Sequence, residues 1–152
     1  MASSSFALAV PFPGLVEPVG VPQDLPAHVT VLYPAPDDVK GIAQVLAPFE
    51  PFDVVFPRLD RFPGVLWLAP EPAEPFVGMT EAMAARFPDF PPYGGSYSSI
   101  VPHLTVAESL LDETAILVEP LLPLASRVES VVLYTSVDSV HWAEHATLDL
   151  GG

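Results

Sequence analysis

His28-Val29-Thr30-Val31-Leu32 and, 75 residues further on, His103-Leu104-Thr105-Val106-Ala107 are two apolar runs interrupted at the same two places by a histidine and a threonine. Each reads as a β-strand, because β-branched and aliphatic residues dominate and the polar residues recur with period two. In such a strand His28 and Thr30 leave one face while Val29 and Val31 leave the other, and His103 and Thr105 stand in the same relation to Leu104 and Val106. The apolar face needs a core to pack on. The other face carries groups that bind protons and donate hydrogen bonds.

Working outward, the offset of 75 aligns residues 28–70 with 103–145 without a gap and gives eight identities: His28/His103, Thr30/Thr105, Val31/Val106, Asp37/Asp112, Leu46/Leu121, Pro48/Pro123, Val65/Val140 and Trp67/Trp142. Composition alone gives roughly three or four, so residue type carries more weight than the count. The chain has only four His and two Trp, and both Trp fall in register. The layout repeats as well. Asp37-Asp38 offers an N-cap to a helix through Val39, Ile42, Val45 and Leu46 that ends at Pro48, and strands at 53–56 and 65–68 follow, joined across Phe62-Pro63-Gly64. In the second half Asp112 and Glu113 open a helix through Ile116, Leu117 and Leu121, with strands near 127–136 and 141–150. A strand over Phe6–Val10 precedes the first unit and a helix over Phe76–Phe87, with Met79, Met83 and Phe87 on one face, precedes the second. Pro91 to Tyr97 reads as a loop. No linker divides the chain, so the expectation is a single α+β domain over residues 1–152 with an internal pseudo-twofold repeat.

Composition narrows the function classes. The chain has 152 residues, half of them hydrophobic, with mean hydropathy +0.42, enough for one real core. Its 20 prolines fall between apolar runs and read as stiff loops. Nineteen acidic residues against five basic ones give a formal charge of -14, which repels a polyanion and argues against an extended nucleic-acid surface. Without cysteine there is no disulfide, thiolate metal site or cysteine nucleophile, which fits a cytoplasmic protein. Met1 to Pro11 has no basic segment ahead of its short apolar run, so neither a signal peptide nor a membrane partner is expected.

With the repeat folded as a duplication, two imidazoles and two hydroxyls face each other in one groove. One imidazole can act as neutral base while the other, protonated, acts as acid, and the hydroxyls can donate to the non-bridging oxygens of a phosphate. In-line displacement at phosphorus needs this base and acid on opposite sides. A single His-x-Thr is a trivial pattern; two copies at equivalent places in a repeat are not.

These segments resemble the paired His-x-Thr motifs of the 2H phosphoesterase superfamily, in its 2'-5' RNA ligase-like and cyclic phosphodiesterase branch. The resemblance extends to the N-terminal strand, to Phe62-Pro63-Gly64-Val65-Leu66-Trp67-Leu68 and to Val101-Pro102 ahead of the second motif. It implies a bilobal α+β fold with two antiparallel sheets lining a central cleft and helices outside. It also implies catalysis without metal or cofactor, with His28 and His103 as acid and base and Thr30 and Thr105 binding the phosphate. The expected activity is opening of a 2',3'-cyclic phosphate or related cyclic nucleotide phosphodiester, a step in RNA processing, by a monomer acting on a small nucleotide or RNA end. The alternatives are a 2'-5' RNA ligase and a nucleotide-binding module without turnover. Arg58 and Arg61, near a predicted strand end, are the candidates for a further phosphate ligand, although exposed arginines seldom have so specific a role.

A competing string, His141-Trp142-Ala143-Glu144-His145, fits the His-x-x-Glu-His pattern of inverted zinc proteases, whose histidines must lie one helical turn apart. Its surroundings favour a strand instead, and only seven residues follow to supply a third ligand. Trp67 and Trp142 read as core residues, and Tyr33, Tyr93 and Tyr97 as core or cleft-rim aromatics able to stack a base.

Overall fold

The alternation in the two His-x-Thr segments is realised in the computed structural model, which describes residues 4–21, 25–92 and 100–151. The first segment is strand β2 (His28–Leu32) and the second β5 (Leu104–Ala107), with His103 immediately ahead of it. Val29, Val31, Leu104 and Val106 are buried in the main core, which removes their side chains from water at a gain of about 1.5–3 kcal/mol each.

Around this pair lie β1 (Ser5–Pro11), α1 (Val39–Leu46), β3 (Phe52–Phe62), β4 (Val65–Glu71), α2 (Glu74–Arg86), α3 (Leu111–Val118), β6 (Leu124–Val128), β7 (Ser130–Ser136) and β8 (Ala143–Asp149). The strands form one antiparallel sheet in the order β6-β3-β4-β5-β2-β1-β7-β8. The expected two sheets are therefore two four-stranded halves of one sheet. They meet at β2 and β5, whose registered contact is the single pair Val29–Leu104.

The predicted strand near 127–136 is two strands, β6 and β7, which stand far apart in the sheet order although only Glu129 separates them in the chain. One intervening residue spans no more than about 7 Å. The sheet must therefore curl until its outer strands converge, and bulges in β1, β3 and β4 supply local bends.

α1 and α2 pack against each other, and α3 packs on β4 and β5. Asp38 caps α1 by accepting a 2.9 Å hydrogen bond from the Gly41 amide, and Ile42 and Leu46 point into the core as their spacing predicts. In α2, which begins two residues earlier than the apolar pattern indicates, Phe76, Met79 and Met83 are buried. α3 turns Thr114 and Val118 inward and leaves Ile116 and Leu117 exposed, and it continues through a 3-10 turn to Leu121. Pro63 and Gly64 close the β3–β4 hairpin as central residues of a two-residue turn, and Gly64 has φ +75°, which Pro-Gly at these positions allows at little cost. Among the described residues no helix is long and apolar enough to cross a membrane.

Candidate functional site

The Val29–Leu104 pairing fixes the site. Reading outward along antiparallel strands from that pair, His28 lies beside Thr105 and Thr30 beside His103, on the face turned away from the helices. The four residues thus form a compact diagonal arrangement in which each imidazole has a hydroxyl from the other strand as neighbour.

The same local device orients both rings. His28 Nδ1–H donates to the Pro26 carbonyl at 2.9 Å, and His103 Nδ1–H donates to the Val101 carbonyl at 2.7 Å, each acceptor two residues upstream. A carbonyl can only accept, so Nδ1 carries the proton in both rings and Nε2 is left as the basic nitrogen of the neutral form. Burial pushes the pKa of each histidine below the usual 6.5, opposed by these backbone hydrogen bonds; His28 is lowered further by the charge of His103. Burial thus favours the neutral rings, and the charge of His103 adds a smaller penalty against protonating His28 at the same time.

A cavity of about 530 Å³ opens at the histidine pair, a volume suited to a nucleotide-sized ligand. His28, Thr30 and His103 line it, together with Tyr33, Trp142 and small or apolar residues such as Ala7 and Leu25. Tyr33 and Trp142 meet edge to face with ring centres 5.8 Å apart, and Tyr33 is 42% exposed at the rim. Thr105 is not part of this wall. Its partner on β4 is Trp67, a large ring at 5% exposure, whereas the partner of Thr30 on β1 is Ala9. The methyl group leaves space beside Thr30 that the indole occupies beside Thr105. Trp67 stacks on Phe62 at 4.7 Å, and both rings meet His103 edge-on at 5.8 and 5.1 Å.

Several sequence expectations are corrected here. Arg58 and Arg61 do not line the histidine cavity. Arg58 pairs with Glu71 at 3.4 Å and Arg61 with Asp112 on α3 at 2.8 Å, because β3 carries both toward carboxylates that this acidic chain supplies in excess. Trp142 is a half-buried cavity-wall residue instead of a core strand residue, since β8 begins only at Ala143. The turn before it is built on Asp138, which accepts from the His141 amide at 2.8 Å and from His141 Nδ1–H at 2.7 Å; these bonds hold the Asp138 carboxyl well below the usual carboxylate range. His145, by contrast, approaches Asp37 at 3.7 Å and Phe6 edge-on at 5.3 Å. The protease-like string thus runs from a turn into a strand, with its histidines engaged by different carboxylates. Among the described residues no group of three or more His, Asp or Glu is arranged to hold a metal ion. Tyr93 and Tyr97 lie outside the described residues.

Sequence reasoning missed Phe62 and Ala9. Phe62 was legible, because a two-residue Pro-Gly turn pairs it with Val65 and puts it on the Trp67 face. Ala9 carried no signal, since its importance lies in what it leaves unfilled.

Comparison with known proteins shows the same fold. Three solved structures share the fold across nearly the whole chain. Escherichia coli LigT in complex with NADP+ has 14% identity and a TM-score of 0.63, with both chains fully covered. A protein described as a phosphoesterase has 16% identity and a TM-score of 0.58, again with full coverage of both. TT0787 of Thermus thermophilus has 17% identity and a TM-score of 0.60, over 97% of this chain and 98% of that one. No curated protein matches by sequence. The family model of the 2'-5' RNA ligase superfamily matches residues 21–143, a span that contains both His-x-Thr strands and every residue named above at the histidine cavity except Ala7 and Ala9. With the fold and most of the sequence in agreement, the chain belongs to the 2'-5' RNA ligase superfamily of 2H phosphoesterases.

Proposed function

We propose that this protein is a metal-independent phosphoesterase that hydrolyses a 2',3'-cyclic phosphate or a related cyclic nucleotide phosphodiester. The observation that carries the reading is the matched pair of imidazoles, each with Nδ1–H tied to a backbone carbonyl, at the mouth of one nucleotide-sized cavity. The neutral imidazole takes a proton from water as the water oxygen bonds to phosphorus. The bond from phosphorus to one ribose oxygen breaks, and the imidazolium gives its proton to that oxygen. The product is a nucleoside monophosphate, and the two histidines finish with their protonation states exchanged. Thr30 donates to a non-bridging oxygen, where charge accumulates in the transition state, and Thr105, set back beside Trp67, makes the weaker contribution. Tyr33 and Trp142 offer the ring surface for a base, and the E. coli LigT complex with 3'-AMP supports a nucleotide as the occupant.

The test is an assay in EDTA of nucleoside 2',3'-cyclic phosphates, an ADP-ribose cyclic phosphate and a 2'-5' linked dinucleotide. Turnover of a nucleoside cyclic phosphate is expected. Tight nucleotide binding with no turnover of any of them would overturn the proposal in favour of a binding module, and formation or cleavage of the 2'-5' linkage alone would favour a ligase.

A further inference from the structure

The charge of the proposed substrate has to be met by the protein, and this chain has few cations to offer. All five Lys and Arg residues lie away from the histidine cavity. Lys40 is on the exposed side of α1, and the Arg86 guanidinium sits 4.8 Å above the Phe87 ring at the end of α2. Arg58 is paired with Glu71 and Arg61 with Asp112, while Arg127 holds Asp53 at 2.9 Å and Glu129 at 3.5 Å. The segments outside the described residues, 1–3, 22–24, 93–99 and Gly152, contain no Lys or Arg in their sequence. Positive charge at the cavity is therefore limited to His28 and His103, whose proximity discourages both from being charged at once. The site offers at most one positive side-chain charge at a time, inside a chain of formal charge -14.

A cyclic phosphodiester brings one negative charge, which a single imidazolium balances. An additional phosphomonoester brings about 1.5–2 more near pH 7, with no cation to receive it. Resting on the phosphoesterase reading, we infer that the cavity is a charge filter. It admits a nucleotide whose cyclic phosphodiester is its only anionic group, and it discriminates against the same nucleotide carrying a second phosphate at the 5' end, in a pyrophosphate bridge or along an RNA strand. This separates the chain from E. coli LigT, which has been crystallised with NADP+ and with ATP. The filter also favours product release, because hydrolysis converts the monoanionic diester into a monoester that takes a second charge.

Adenosine 2',3'-cyclic phosphate and its 5'-phosphorylated counterpart provide the test, since they share base and reacting group. At low ionic strength kcat/KM for the 5'-phosphorylated compound should be lower by about 10-fold or more, with the gap narrowing as salt is raised to about 0.3 M and the extra charge is screened. Tyr33→Arg, which places a cation at the exposed rim while keeping a planar group, should shrink the ratio of the two substrates. Equilibrium binding of both compounds separates the two levels of the argument. Binding that discriminates without turnover would sink the phosphoesterase reading and keep the filter. Equal turnover of both compounds, or a preference for the 5'-phosphorylated one, would sink the filter and keep the phosphoesterase. Absence of both binding and turnover would overturn both.

Discussion

Thr30 faces Ala9 across its strand pair and Thr105 faces Trp67, so two copies of one short motif stand in different surroundings. Beside the first copy the floor is low, with Ala9 packed against Val132 and Tyr134 and with Leu25 and Trp142 at its margin, and the cavity opens there. Burial, with Glu144 nearby, pushes the Tyr134 hydroxyl up to about 12. Beside the second copy Phe62 and Trp67 fill the corresponding volume and press against His103. A repeated His-x-Thr motif thus need not mean a symmetric pocket. The groups are set by strand alternation, but the pocket is set by the size of the side chain on the next strand.

The largest break in this comparison is expected where the two halves act together. His28→Ala and His103→Ala should each lower kcat/KM by on the order of 10²–10⁴-fold while the circular dichroism spectrum and melting transition stay in place; activity that survives both would remove the acid–base pair from the mechanism. Next comes the cavity of the first half. Ala7→Trp, at a partly exposed position on its wall, should raise KM by about 10-fold or more with a smaller change in kcat, because it removes volume from the ligand and leaves the imidazoles alone. A fall in kcat at constant KM would place the substrate elsewhere.

The threonines sharpen the contrast directly. Thr30→Ala should cost on the order of 10-fold in kcat, and Thr105→Ala, screened by Trp67, about 3-fold or less. Equal losses would show that the indole moves aside when substrate binds. The pH profile follows from the histidine environments. Burial lowers both pKa values in the free enzyme, favouring the neutral rings, so each protonation step occurs at lower pH than in an unperturbed imidazole. A bell-shaped kcat/KM with its maximum on the acid side of 6.5 is expected, and a rate still rising past pH 9 would contradict a histidine acid. The smallest effect belongs to His145→Ala. It removes a histidine in contact with Phe6 and Asp37, outside the histidine cavity, and should change kcat/KM by less than about 2-fold.

Much of this was legible along the chain, for reasons that are local. The period-two alternation of His28 to Leu32 and of His103 to Ala107 placed four polar side chains on one face, because a strand has no other way to arrange them. Asp38 announced the start of α1, Pro48 its end, and Phe62-Pro63-Gly64 the hairpin, since caps and turns depend on a few adjacent residues. The match of Trp142 with Trp67 misled. β4 lies between β3 and β5, whereas its counterpart β8 pairs with β7 alone at the sheet edge, so Trp67 is covered by a second neighbouring strand and Trp142 is not.

The sequence by itself determined most of the element order, the two polar faces, the absence of thiol chemistry and a formal charge of -14. Only the tertiary structure decided that Ala9 borders Thr30 while Trp67 borders Thr105, that Arg58 and Arg61 are engaged by Glu71 and Asp112, and that Tyr33 and Trp142 meet at one rim. The physical reason is range. Alternation, capping and turn formation act between residues a few positions apart, whereas cavity volume and ion pairing depend on which strands and helices become neighbours across the fold, and that is chosen by the burial of the whole core at once.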